Sequence, residues 1–123
     1  MSKTLIVEDS AIYRKLLKDT LRSRFPSMEI IEAEDGEEAM KKMRAYQPDL
    51  IFMDIKLPGE NGLELTGKIK AKYPDVTVII LTSYDTPEYR EAADRVKADH
   101  FVSKGSSSKE GILTLVQSIL AGR

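Results

Sequence analysis

The feature that most constrains this chain is an alternation, repeated five times, of a short apolar run with a longer amphipathic segment. The apolar runs are Leu5-Ile6-Val7, Ile30-Ile31 with Ala33, Leu50-Ile51-Phe52-Met53, Val76 to Leu81, and Ala98 with Phe101-Val102. Each has the length of a strand. The third and fourth are almost continuously apolar, as central parallel strands covered on both faces must be. The second and fifth are shorter and mixed, which suits the edges of a sheet.

Between them run helical stripes: Ile12, Leu16, Thr20 and Leu21, then Ala39, Met40 and Met43, then Leu65 and Ile69. The fourth stripe is Tyr89, Ala92, Ala93 and Val96, and the fifth is Ile112, Leu115, Val116, Ile119 and Leu120. Leu113 and Leu120 fall partly off this last stripe and are candidates for a partner-binding face. Helix starts are marked by Asp35 with Glu38 and Ser107 with Glu110, which read as capping boxes, and by Thr86 before Pro87. Asp9 or Ser10 is placed to cap the first helix. Five βα units with short connections predict an α/β fold with an open, doubly wound, five-stranded parallel sheet and right-handed crossovers.

Composition narrows the chemistry. At 123 residues the chain is expected to form one domain, residues 1–123. Nineteen basic and twenty acidic side chains give a net charge of −1, so no basic face points to a nucleic-acid or membrane partner. Cysteine is absent, which excludes disulfides, thiol catalysis and Cys/His zinc sites. The single histidine, His100, precedes the fifth apolar pair and reads as a surface or packing residue. No apolar run reaches the ~20 residues of a membrane span and no signal peptide is apparent, so a cytoplasmic location is expected. The stretch from Glu29 to Glu38 holds six acids and no base, and reads as a solvated edge strand and helix start.

In an open parallel sheet the ligand site lies beyond the carboxyl ends of the strands. Those ends carry Glu8-Asp9, Glu34-Asp35, Asp54, Thr82-Ser83 and Ser103-Lys104. With the first and third strands adjacent, Glu8, Asp9 and Asp54 converge and repel one another unless a cation sits among them. Oxygen ligands without His or Cys point to Mg²⁺, or Mn²⁺ as a substitute, and Mg²⁺ commonly bridges carboxylates to phosphate oxygens. The Lys104 ammonium and the Thr82 hydroxyl are suited to phosphoryl oxygens.

These residues resemble the receiver domains of two-component response regulators over essentially the whole chain. The resemblance rests on Glu8-Asp9, on Asp54 with the loop through Pro58, Gly59 and Gly62, on Thr82, and on Phe101-Val102-Ser103-Lys104. It implies a flavodoxin-like sheet in the order 2-1-3-4-5. It implies that Asp54 accepts a phosphoryl group from a phosphohistidine on a sensor histidine kinase or a histidine phosphotransfer protein. Glu8, Asp9, Asp54 and the main-chain carbonyl of Lys56 are then the Mg²⁺ ligands, and Thr82 with Phe101 the switch pair. Lys56 and Tyr84 stand where the family tunes the lifetime of the acyl phosphate. Its catalysis is expected to be confined to gaining and losing its own phosphoryl group, without turnover of a separate substrate. Output is expected through the face of the fourth helix, fifth strand and fifth helix, to a downstream protein or a second copy.

Two positions depart from the family pattern. Gly105 follows Lys104 where proline is usual, so a trans bond is expected, and Phe101 replaces a common tyrosine. The Lys-Gly-Ser variant resembles receivers that precede helix-turn-helix output domains, although none is expected in this chain. Other readings are weaker. An aspartyl phosphatase or phosphotransferase needs an acid where Lys56 stands. A flavin site needs a Ser/Thr/Gly-rich loop where Glu8-Asp9 stands. A non-phosphorylated adaptor would have lost part of the acidic set or Lys104.

Overall fold

The computed structural model describes residues 2–122. The main elements are β1 (Lys3–Val7), α1 (Ala11–Arg24), β2 (Glu29–Ala33), α2 (Gly36–Tyr46), β3 (Leu50–Met53), α3 (Gly62–Lys72), β4 (Thr77–Thr82), α4 (Pro87–Arg95), β5 (His100–Ser103) and α5 (Lys109–Ala121). A short antiparallel ribbon, Lys56–Leu57 against Glu60–Asn61, joins β3 to α3. The five strands form one parallel sheet in the order β2-β1-β3-β4-β5, as the βα alternation requires.

Strand residues alternate between two cores. Ile6, Leu50, Phe52, Ile79 and Leu81 pack beneath α1 and α5, against Leu17, Leu21, Ile112, Leu113 and Val116. Leu5, Val7, Ile51, Met53, Val78 and Ile80 pack on the other face against Ala39, Met43, Leu65, Ile69 and Ala93 of α2, α3 and α4. Each large side chain so buried contributes ~1.5–3 kcal/mol. Because both faces are apolar, polar strand residues collect at the strand ends.

Helix ends follow local chemistry. The Ser10 hydroxyl accepts the Tyr13 N–H, the Asp35 carboxylate accepts that of Glu38, and the Thr86 hydroxyl accepts that of Tyr89. Gln47 closes α2 in the left-handed conformation (φ 49°) just before Pro48. No cis peptide bond occurs among the described residues, and Lys104-Gly105 is trans.

Three expectations need correction, and a fourth, open between two residues, is decided. Ser108, and not Ser107, caps α5, its hydroxyl accepting the Gly111 N–H at 3.0 Å. Ser10 alone caps α1 and Asp9 does not. The inward stripe of α1 is Leu17, Thr20 and Leu21, with Tyr13 half-buried. Ile12 is 85% exposed and Leu16 44% exposed, because a helix turned to bury Leu17 and Leu21 must carry position 12 outward. Leu113 is buried in the core, leaving it no role on a partner face. The acidic stretch is partly paired. Arg14 and Lys18 each hold Glu32 at 3.1 Å, and Arg14 reaches Glu34 at 3.4 Å.

The α1 orientation is testable by urea denaturation. Leu21→Ala is expected to lower the unfolding free energy by about 2–4 kcal/mol. Ile12→Ala is expected to change it by less than about 0.5 kcal/mol. Equal losses would contradict the orientation.

Candidate functional site

Parallel pairing sets the site. Val7 lies opposite Met53, so the next residues, Glu8 and Asp54, leave neighbouring strands side by side. Their main chains are fixed in turn: the Asp54 N–H donates to the Val7 carbonyl at 3.1 Å, and the Glu8 N–H to the Ala33 carbonyl at 3.0 Å. Two strands away the Lys104 N–H donates to the Thr82 carbonyl at 2.8 Å, placing that side chain over the same end of the sheet.

The carboxylates are nearly buried, Glu8 being 4% and Asp54 8% exposed. The Lys104 ammonium donates to Glu8 Oε1 and, at 3.1 Å, to Asp54 Oδ2. Asp54 Oδ1 accepts the Ile55 N–H at 2.7 Å, and Glu8 Oε2 accepts the Ser10 N–H at 2.9 Å. Asp9 is exposed, yet carboxylate oxygens of Glu8, Asp9 and Asp54 lie within 4.8 Å of one another. Three carboxylates against one ammonium leave two negative charges uncompensated. Such a set of hard oxygen donors fits one divalent cation of the Mg²⁺ or Mn²⁺ kind.

Burial pushes the Glu8 pKa above its ordinary 4.5; Lys104 and the Ser10 amide oppose this, and the Asp54 charge reinforces it. Burial alone would lower the Lys104 pKa. Its contacts with Glu8 and Asp54 together outweigh that effect, so the net shift is upward from 10.5.

The loop after Asp54 is held close by Gly62, whose N–H donates to the Ile55 carbonyl at 2.7 Å. A Cβ at position 62 would lie 1.8 Å from the Asp54 carbonyl oxygen, so only glycine lets α3 begin there. Gly59, with φ at 78°, makes the tight turn of the ribbon. Lys56 projects from the ribbon to the lip of the site. Its ammonium sits 5.3 Å from the Tyr84 ring centroid and 5.6 Å from that of Tyr89.

Thr82 is fully buried and its hydroxyl accepts the Tyr84 N–H at 3.2 Å. Phe101 is half-buried against the α2-α3-α4 core, with the Arg90 guanidinium 4.6 Å above its ring. Arg90 is itself held by both oxygens of Asp85, at 2.6 and 3.0 Å. The structure therefore brings Glu8, Asp9, Asp54 and Lys104 together and sets Lys56 with Tyr84 beside them; Phe101 packs on the core below α4.

Three neighbours escaped the sequence reading as parts of this region: Tyr13, Tyr89 and Arg90. Tyr13 falls one helical turn past Asp9, which returns it to the site, and its ring centroid is 4.1 Å from Lys104 Nζ. Tyr89 shows in the sequence only as part of the core stripe of its helix. Nothing in the local pattern marks Arg90.

The Glu8 shift has a consequence for stability. Between 4.5 and the raised folded value the native state binds more protons than the unfolded chain, so Glu8 contributes more stability as pH falls. In metal-free buffer the stability of wild type relative to Glu8→Gln is expected to increase as pH is lowered from neutral towards 4.5. Urea melts at several pH values measure this; a difference that shrinks on acidification would contradict it.

The whole chain answers to one family. The response regulator receiver domain model matches residues 4–117. The oxygen regulatory protein NreC of Staphylococcus carnosus is 34% identical over 122 residues, covering 98% of this chain and 55% of NreC. This chain thus spans about half the length of that relative. The chemotaxis protein CheY of Halobacterium salinarum is 32% identical over 118 residues, covering 96% of each chain. A CheY-like receiver domain from Methanospirillum hungatei JF-1 superposes with a TM-score of 0.90 at 25% identity, over 99% of this chain and 95% of its own. With the sheet order, the acidic strand ends and the match from residue 4 to residue 117 in agreement, the chain belongs to the response regulator receiver domain family.

Proposed function

We propose that Asp54 is the phosphoacceptor of this receiver domain and that its donor is a phosphohistidine on a sensor histidine kinase or a histidine phosphotransfer protein. One observation carries this reading: a nearly buried carboxylate, bound by Lys104 on one oxygen and the Ile55 N–H on the other, with Glu8 and Asp9 oxygens within 4.8 Å. Glu8, Asp9, Asp54 and the main-chain carbonyl of Lys56 would hold Mg²⁺, or Mn²⁺ in its place, which when bound neutralises phosphoryl oxygens that would otherwise repel the carboxylate.

An Asp54 oxygen attacks phosphorus, and the P–N bond of the donor breaks with its electron pair remaining on the imidazole nitrogen. Lys104 then donates to a phosphoryl oxygen, and the Thr82 hydroxyl donates to another. Water later attacks the same phosphorus, the P–O bond to Asp54 breaks, and carboxylate and inorganic phosphate are regenerated. The domain thus acts on itself and turns over no other substrate. Movement of Thr82 pulls the loop to α4, and the Phe101 ring moves inward, changing the face of α4, β5 and α5. A downstream protein or a second copy of the chain reads that face. This reading puts the chain in the cytoplasm; no helix among the described residues is long and apolar enough to cross a membrane.

Incubation with acetyl phosphate and Mg²⁺ followed by intact mass measurement tests the assignment. Wild type is expected to gain one phosphoryl group that does not form when EDTA is present from the start or in Asp54→Asn. An adduct insensitive to either change would contradict it. Tyr84 is 46% exposed, and on this reading its ring restricts the path of water to the acyl phosphate. Tyr84→Ala is expected to speed autodephosphorylation about threefold, under ~1 kcal/mol of barrier. An unchanged or slower rate would count against shielding.

A further inference from the structure

We infer that Tyr13 is a positioning residue of the phosphorylation site, its ring face seating the Lys104 ammonium. This rests on the reading of Asp54 as phosphoacceptor and adds a residue to it. An ammonium has three N–H donors. Those of Lys104 meet Glu8 and Asp54 on one side, and the Tyr13 ring covers another, 4.1 Å from Nζ to the centroid. That separation lies within the ~6 Å over which an aromatic face attracts a cation.

The ring is held in place from two directions. The Tyr13 N–H donates to the Ser10 hydroxyl at 3.2 Å, so the cap that starts α1 also fixes the residue bearing the ring. The side chain is half-buried and packs against the core beneath α1 and α5. Beside it lies a cavity of about 110 Å³, lined by Tyr13, Leu17, Lys104, Ser107 and Ile112 among others. Removing the ring enlarges this cavity and gives the ammonium a hydrated position between α1 and α5, turned away from Asp54.

The chemistry explains why the ring matters more than a third carboxylate would. When Glu8 turns to a metal ion, Lys104 loses one partner; when Asp54 is phosphorylated, the other changes its charge and reach. Of these three Lys104 contacts, the Tyr13 ring is the one that neither holds a metal nor receives the phosphoryl group on this reading. Lys104 can therefore pivot from carboxylate to phosphoryl oxygen without leaving the site. The hydroxyl of Tyr13 has no part in this.

The test is the maximal rate of phosphorylation by acetyl phosphate at saturating Mg²⁺, followed by intact mass, for wild type, Tyr13→Leu and Tyr13→Phe, each alone and combined with Lys104→Met. Tyr13→Leu is expected to slow phosphorylation about tenfold, the size of a partly desolvated cation–π contact. Tyr13→Phe is expected to stay within twofold of wild type (about 0.4 kcal/mol). In the Lys104→Met background Tyr13→Leu should have no further effect. A wild-type rate for Tyr13→Leu would overturn the inference. So would an equal loss in Tyr13→Phe, or an equal slowing by Tyr13→Leu without Lys104, which would mark a packing role only. These outcomes are read against a wild type that forms the adduct. A wild type that forms none would instead remove the phosphoacceptor reading itself.

Discussion

Glu8 and Asp54 are nearly buried carboxylates that follow neighbouring strands, and they share the ammonium of Lys104. Taking such charges out of water is costly, and one cation does not neutralise three acids. The surrounding structure is organised by that imbalance. Lys104 reaches the carboxylates because β5 is two strands from β3, and Asp54 is oriented by the Ile55 amide. The bare α-carbon of Gly62 lets α3 begin against the Asp54 backbone. The excess negative charge fits this set of carboxylates to a divalent cation, and on the proposed reading such a cation would allow a phosphoryl group to approach the Asp54 carboxylate.

The same geometry connects the site to α4. Thr82 ends β4 and its hydroxyl accepts the Tyr84 amide, so the loop to α4 is tied to the side chain that would meet the phosphoryl group. Within that loop Asp85 holds Arg90, and Arg90 lies over the ring of Phe101. On the other side of the lip, Lys56 sits against Tyr84 and Tyr89. The first turn of α4 is thus in contact with both the loop after Asp54 and the aromatic residue on β5. The ion pair of Arg90 with Asp85 and the contacts of Lys56 lie at the surface, where such interactions are individually weak.

The sheet and the acidic site were legible because they rest on short-range rules. Strands covered on both faces have to read as apolar runs, and their polar continuations have to fall at the carboxyl ends. Glu8, Asp9, Asp54, Thr82 and Lys104 could be picked out on that ground before any contact was known. What failed was orientation within a helix. The expected stripe of Ile12, Leu16, Thr20 and Leu21 holds at Thr20 and Leu21 but fails at Ile12 and Leu16. There the buried row through Leu17 is offset by a single residue, and only packing beneath α1 decides. The cap of α5 slipped from Ser107 to Ser108 because three consecutive serines offer the same chemistry. Contacts between side chains from distant segments, such as Arg90 with Phe101 or Tyr13 with Lys104, leave no periodic trace in the sequence.

Locating the phosphoryl group chemically tests the account most directly. After reaction with acetyl phosphate and Mg²⁺, borohydride reduces an acyl phosphate to the corresponding alcohol, converting an aspartyl phosphate to homoserine. Peptide mass spectrometry of wild type is predicted to find homoserine at position 54 and at no other aspartate. Homoserine at position 9 or 35 with Asp54 intact, or a phosphoryl group that survives reduction on a serine or threonine, would contradict it.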